Sequence, residues 1–129
     1  MSPTLGPYSP VRRAGGWVIT SGQIGLATDD GGVSALVDGG TIPQLHQALA
    51  NVAAVLRTEG ATMREVVKTT LYLIDMGEFA AVNEVFAEYF PNRPTRSTVA
   101  VAALPAGARV EVEAWAYVPE DSVPEPLDL

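Results

Sequence analysis

Two runs of alternating character, Thr95-Arg96-Ser97-Thr98-Val99-Ala100-Val101 and Val110-Glu111-Val112-Glu113-Ala114, flank a turn that carries Pro105 and Gly107. Side chains two apart on a strand share a face, so both runs require a sheet, and the short connection predicts a β-hairpin over residues 95–118. The alternation puts Glu111 and Glu113 on one face of the second strand. Arg96 opens the first strand, directly after Pro94-Thr95. In a hairpin turning near Ala106-Gly107, Arg96 lies roughly opposite Trp115, which leaves Glu111 about 13 Å away. Two side chains that far apart do not serve one small ligand within a single copy of the chain. A site shared between copies resolves the distance.

The remaining elements follow from periodicity. Gly16-Trp17-Val18-Ile19-Thr20 reads as a buried strand ended by Ser21-Gly22, and the Gly- and Asp-rich segment 27–40 reads as a mobile loop. Thr41 and Gln44 have capping-box spacing, and Leu45, Leu49, Val52 and Leu56 recur at helical steps, so a helix is expected over 41–59, stopped by Gly60. Along 66–74, Val67, Thr69, Leu71 and Leu73 alternate with Lys68, Thr70 and Tyr72, which predicts a strand. Asp75 and Glu78 mark a second helix start. Phe79, Val82, Phe86 and Tyr89 form its apolar stripe, and Pro91 ends it. This order predicts an α+β fold, a mixed sheet with two helices packed on one face. Trp115 and Tyr117 share the other face with Glu111 and Glu113, and no third helix exists to cover it. Residues 1–118 are expected to form one domain, and 119–129, rich in proline and acids, a frayed tail.

Composition narrows the chemistry. With 129 residues the chain is long enough for one substantial core. It has no cysteine, which removes disulfides, thiolate metal sites and a cysteine nucleophile. Fifteen acidic against eight basic residues give a net charge of −7, a poor surface for phosphate backbones. No membrane span and no signal peptide are legible, so a cytoplasmic protein is expected. His46 is the sole histidine and lies off the apolar stripe of the first helix, which argues against a metal site or a serine–histidine triad. The glycine pairs lack the pattern of a phosphate loop. An apolar content of 47% is high for a small monomer and suggests subunit contacts.

The block PTRSTVAVAALPAGARVEVEA resembles the signature of the reactive intermediate deaminase family, RidA, also called YjgF or L-PSP. Gly6-Pro7-Tyr8, Ser21-Gly22-Gln23-Ile24, Asn51, Val67-Lys68-Thr69-Thr70, Asp75-Met76, Phe79 and Asn83 match the family's order and spacing. The resemblance implies a chorismate-mutase-like α+β subunit, a homotrimer with ligand sites between subunits, and hydrolysis of 2-imino or enamino acids to 2-keto acids and ammonia. It implies no cofactor.

The resemblance also implies residue roles. Arg96 matches the arginine that binds the substrate carboxylate, a task suited to a planar, permanently charged fork. Glu111 matches the glutamate that holds a water for attack on the imine carbon. Tyr8 falls at the pocket rim, and Ser21 and Gly22 supply backbone groups to the ligand. Asn83 is a candidate contact from the second helix. Thr98 stands where many relatives carry cysteine, and Ser9-Pro10 where a Ser-Gln step is common. Glu113 is left as structural. Two rival functions follow from the same family: an endoribonuclease or translation inhibitor, and a binding module without turnover. The acidic charge counts against the first, and retention of Arg96 and Glu111 against the second.

Overall fold

Val66–Leu73 (β5) and Val110–Tyr117 (β7) are eight-residue strands whose alternate side chains build the core. Thr69, Leu71 and Leu73 of β5 and Val110, Val112, Ala114 and Ala116 of β7 are fully buried. The computed structural model describes residues 4–119. Around this pair, Val11–Ala14 (β1), Trp17–Thr20 (β2) and Thr95–Ala100 (β6) complete a five-stranded sheet in the order β1-β2-β7-β5-β6. All pairings are antiparallel except β5 with β6. Thr41–Arg57 (α1) and Phe79–Tyr89 (α2) pack on one face. The α+β class and the helix placement expected from the element order are therefore present.

The expected hairpin over 95–118 is not. β5 lies between β6 and β7, so the two strands never pair. The connection from β5 through α2 to β6 is a parallel crossover, and residues 101–109 then pass over the end of β5. Val101 N–H donates to Leu73 O at 2.8 Å and Ile74 N–H to Arg109 O at 3.1 Å along that path. Alternation sets which side chains share a face, whereas neighbour order depends on what inserts between two strands. Arg96 consequently sits beside Thr69, not Trp115.

Other local differences have equally concrete causes. A bulge between Val66 and Lys68 turns Val67 outward and buries Val66. The expected mobile loop contains a small antiparallel pair, Leu26–Thr28 (β3) and Ser34–Leu36 (β4). The buried Asn51 amide anchors this pair, donating to Ile24 O at 3.0 Å and Leu26 O at 2.9 Å. Helix α1 ends at Arg57 rather than 59, with Gly60 at φ 77° in the turn that follows. Its expected Thr41–Gln44 capping box does not form. Thr41 Oγ1 instead donates to Glu78 Oε1 at 2.7 Å, and Gln44 Oε1 accepts from Arg109 N–H at 2.8 Å. A capping box occurs at Thr62–Glu65, before a 3-10 turn. Asp75 caps the 3-10 turn Met76–Glu78 through Gly77 N–H, while Glu78 is drawn to Thr41 and Arg109. In α2, Val82, Val85 and Phe86 are buried, but Phe79 is exposed. Of the tail expected at 119–129, everything beyond Pro119 lies outside the described residues.

Among the described residues, no helix covers the second face of the sheet. Ile19, Lys68, Tyr72, Val99, Glu113 and Trp115 emerge there, and Trp17 stands edge-on to Trp115 and Tyr117 with centroids 5.9 and 5.0 Å apart. Among the described residues, no helix is long and apolar enough to cross a membrane.

Asn51→Leu should unfold at lower urea concentration. Ile24 O keeps its bond from Leu26 N–H at 2.8 Å, so the substitution removes two hydrogen bonds worth about 0.5–1.5 kcal/mol each, and a loss of about 1–3 kcal/mol is expected in equilibrium denaturation. An unchanged midpoint would show that the β3–β4 pair does not depend on this amide.

Candidate active site

Arg96 leaves β6 on the helix side of the sheet, because its register partner Thr69 points into the core. Its guanidinium lies 5.2 Å from the ring centroid of Phe79 and 4.8 Å from that of Phe86. Nη2 donates to Asn83 Oδ1 at 2.6 Å. These three helix residues are spaced i, i+4 and i+7, so one stripe of α2 forms a platform for the cation. No carboxylate pairs with Arg96 among the described residues, and burial lowers its pKa from the usual arginine value. Asn83, Phe86, Phe90 and Arg96 line an open groove of about 500 Å³. A guanidinium held on aromatic rings with free N–H donors is a receptor for a planar anion.

Glu111 leaves β7 on the opposite side, beside Tyr72. The strand-end turn is fixed against β7 by two backbone bonds: Gln23 N–H donates to Val112 O at 2.7 Å, and Val112 N–H to Gln23 O at 2.9 Å. The turn is pinned further by Ser21, whose Oγ donates to Ser9 O at 2.6 Å. Glu111 lies so close over Gly22 that a β-carbon there would collide with its carboxylate, which explains glycine at this position. Burial, and then the charge of Glu113, push the Glu111 pKa above the ordinary glutamate value. Glu113, expected to be merely structural, also accepts the Tyr72 hydroxyl proton at 2.9 Å. Tyr8, Pro10, Gly22, Gln23 and Asn51 line a small cavity nearby, with Tyr8 half exposed at its edge.

The candidate residues thus fall into two groups. Tyr8, Ser21, Gly22 and Glu111 gather at the end of β7. Arg96 and Asn83 meet at the edge strand, with Thr98 next along the same face of β6 but outside the groove. Arg96 and Glu111 are separated by two strand spacings and three residues of register, about 14 Å between backbones. They also point to opposite faces. The distance expected from the sequence is close to this, although the assumed pairing was wrong. The roles of Phe79 and Phe86 under Arg96 were missed; their spacing around Asn83 was the available signal. Among the described residues, no cluster of His, Asp or Glu is arranged to hold a metal ion.

A mixed five-stranded sheet backed by two helices, with Glu111 over a glycine turn and Arg96 on an edge strand, makes this an α+β protein. The chain belongs to the family described as Endoribonuclease L-PSP, whose model matches residues 1–118. It is 42% identical over 113 residues to the mouse 2-iminobutanoate/2-iminopropanoate deaminase, covering 87% of this chain and 82% of that one. A RutC family protein of Pyrococcus horikoshii is 40% identical, covering 88% of each. Among solved structures, a Rid family protein from Yersinia pestis superposes with a TM-score of 0.83 at 39% identity, covering 91% of this chain and 92% of that one. Escherichia coli TdcF with bound serine gives 0.80 at 33% identity, covering 89% and 91%.

In a carboxyl-carbon NMR titration, Glu111 should titrate above an ordinary glutamate. Glu113→Gln removes the adjacent like charge and should move that titration to lower pH. A Glu111 titration unaffected by the substitution would show that the two carboxylates are not coupled.

Proposed function

We propose that this protein hydrolyses reactive 2-imino and enamino acids to 2-keto acids and ammonia, in a site completed between neighbouring subunits of a homotrimer. One observation carries the proposal: Arg96, resting on two phenylalanine rings, and Glu111, packed over the Gly22 turn, face opposite sides of the sheet within one chain. The open sheet face, with its exposed Trp17 and Tyr117, provides apolar surface through which copies of the chain can meet. Relatives named as 2-iminobutanoate/2-iminopropanoate deaminases support the reaction, and a related structure holding serine supports a small ligand with a carboxylate. A similar Thermotoga maritima structure is described as a putative endoribonuclease, but a net charge of −7 disfavours RNA as the partner here.

In this mechanism Arg96 binds the α-carboxylate and fixes C2 of the imine. Glu111 of the neighbouring subunit accepts a proton from a water as its oxygen attacks C2 of the protonated imine, and the C=N π electrons move to nitrogen to give a neutral amine. The resulting carbinolamine takes a proton on nitrogen, ammonia leaves with the C–N electron pair, and the hydroxyl proton is lost as C=O forms. Enamino acids enter through their imine tautomers. The raised Glu111 pKa makes it a stronger base than an exposed glutamate. Turnover should therefore decline as pH falls through that pKa and the carboxylate is protonated.

Arg96→Ala should lower kcat/KM for 2-iminopropanoate by at least about 10–100-fold, from the loss of a charge-assisted carboxylate contact. Arg96→Lys should also be impaired, since an ammonium cannot reproduce the fork. Glu111→Gln should slow turnover about ten- to a thousandfold with smaller changes in KM. Sedimentation should give a trimer for the parent and all three variants. Parental rates in Arg96→Ala, or a fully active monomer, would overturn the assignment.

A further inference from the structure

A second arginine, the exposed Arg93, lines the Arg96 groove. The segment Pro91-Asn92-Arg93-Pro94 joins α2 to β6 and is held at nearly every position. Prolines fix φ at both ends. The Asn92 amide donates to Val66 O at 3.0 Å and to Arg64 O at 3.3 Å, and Arg93 N–H donates to Phe90 O at 3.0 Å. Arg93 itself is held at φ 55°, a left-handed conformation that glycine adopts with less strain. Its side chain thus departs from a fixed point, and the residue lines the same groove as Asn83, Phe86, Phe90 and Arg96.

The charges in this groove are unbalanced. The chain carries nearly twice as many acidic as basic residues, yet two arginines line one groove and no acidic side chain does. Glu84 and Glu88 belong to the adjoining helix but do not line it. The one ion pair among the described residues, Arg109 with Glu78, involves neither arginine. Two unneutralised cations over the apolar floor of Phe86 and Phe90 match a short molecule with an anion at each end. The α-carbons of residues 93 and 96 are at most about 10 Å apart, and both heads ride on long stems, so they can converge on the two carboxylates of a short diacid.

We propose that Arg93 is a second carboxylate-binding residue of this site, and that the preferred substrates are 2-imino acids whose side chain ends in a carboxylate. The inference rests on the reading of the Arg96 groove as the part of the deaminase site that binds the α-carboxylate. Arg96 then takes the α-carboxylate, Arg93 the distal one, and the methylene chain lies along the phenylalanine rings.

Binding of 2-oxoglutarate and 2-oxopentanoate, product-like acids that differ by a terminal carboxylate in place of a methyl group, tests this by calorimetry without turnover. The parent should bind the diacid about tenfold or more tightly than the monoacid, as an added charge-assisted bond implies. Arg93→Gln and Arg93→Gly should each reduce that preference to less than about threefold. The glycine variant accommodates the left-handed backbone, so a loss seen in both reports the guanidinium and not the fold. Equal affinities in the parent, or a diacid preference that survives both substitutions, would overturn the proposal. In turnover, the kcat/KM ratio of a dicarboxylic to a monocarboxylic imino acid should fall by about tenfold in the variants. Absence of turnover with both imino acids, beside an Arg93-dependent diacid preference, overturns the deaminase reading and leaves the second carboxylate site standing.

Discussion

The parallel pairing of β6 with β5 is the constraint on which the rest depends. By placing Arg96 beside Thr69, it directs the guanidinium to the helix side of an edge strand. There it meets the phenylalanine stripe of α2. Had β6 paired with β7 as a hairpin, the same alternation would have set Arg96 among different neighbours. With β5 in between, β7 presents Glu111 to the opposite face, next to the Gly22 turn. The division of the candidate site into two halves is therefore a consequence of strand order. On the proposed reading neither half is complete alone, which is the physical reason for the proposed association.

A set of polar ties holds this arrangement in place. Thr41, Gln44, Glu78 and Arg109 form one network joining the start of α1, the turn before α2 and the entry to β7. The Arg109–Glu78 pair within it is partly exposed, so its contribution lies more in fixing relative positions than in net energy. Arg13 performs a similar task at the other end, donating to the carbonyls of Glu59 at 2.9 Å and Val118 at 2.8 Å. The ties leave Arg93 and Arg96 unneutralised.

Local readings succeeded where the physics is local. The stripe of Leu45, Leu49, Val52 and Leu56 is buried in α1, and Gly60 lies in the turn just beyond it. Alternation correctly grouped Glu111, Glu113, Trp115 and Tyr117 on one face. Thr41 and Gln44 misled because a capping box and a pair of tertiary hydrogen bonds require the same side chains. Only the approach of Glu78 and Arg109, distant in sequence, selects between them. Val67 misled because a bulge shifts the period by one residue, and the β3–β4 pair was hidden in a glycine-rich segment that Asn51 organises from another element.

The sequence alone determined the fold class, the presence of both helices and most of the buried faces, and its resemblance to a known family marked Arg96 and Glu111 as chemical candidates. The fold class, helices and buried faces follow from side-chain period, which acts over a few neighbouring positions. Tertiary structure decided which strands are neighbours, that Arg96 rests on Phe79 and Phe86, and that Glu111 lies against Gly22 with a raised pKa. It also decided that Arg93 lines the Arg96 groove. These depend on contacts between segments far apart in the chain, where the free energy of the whole sheet, not local propensity, selects one arrangement.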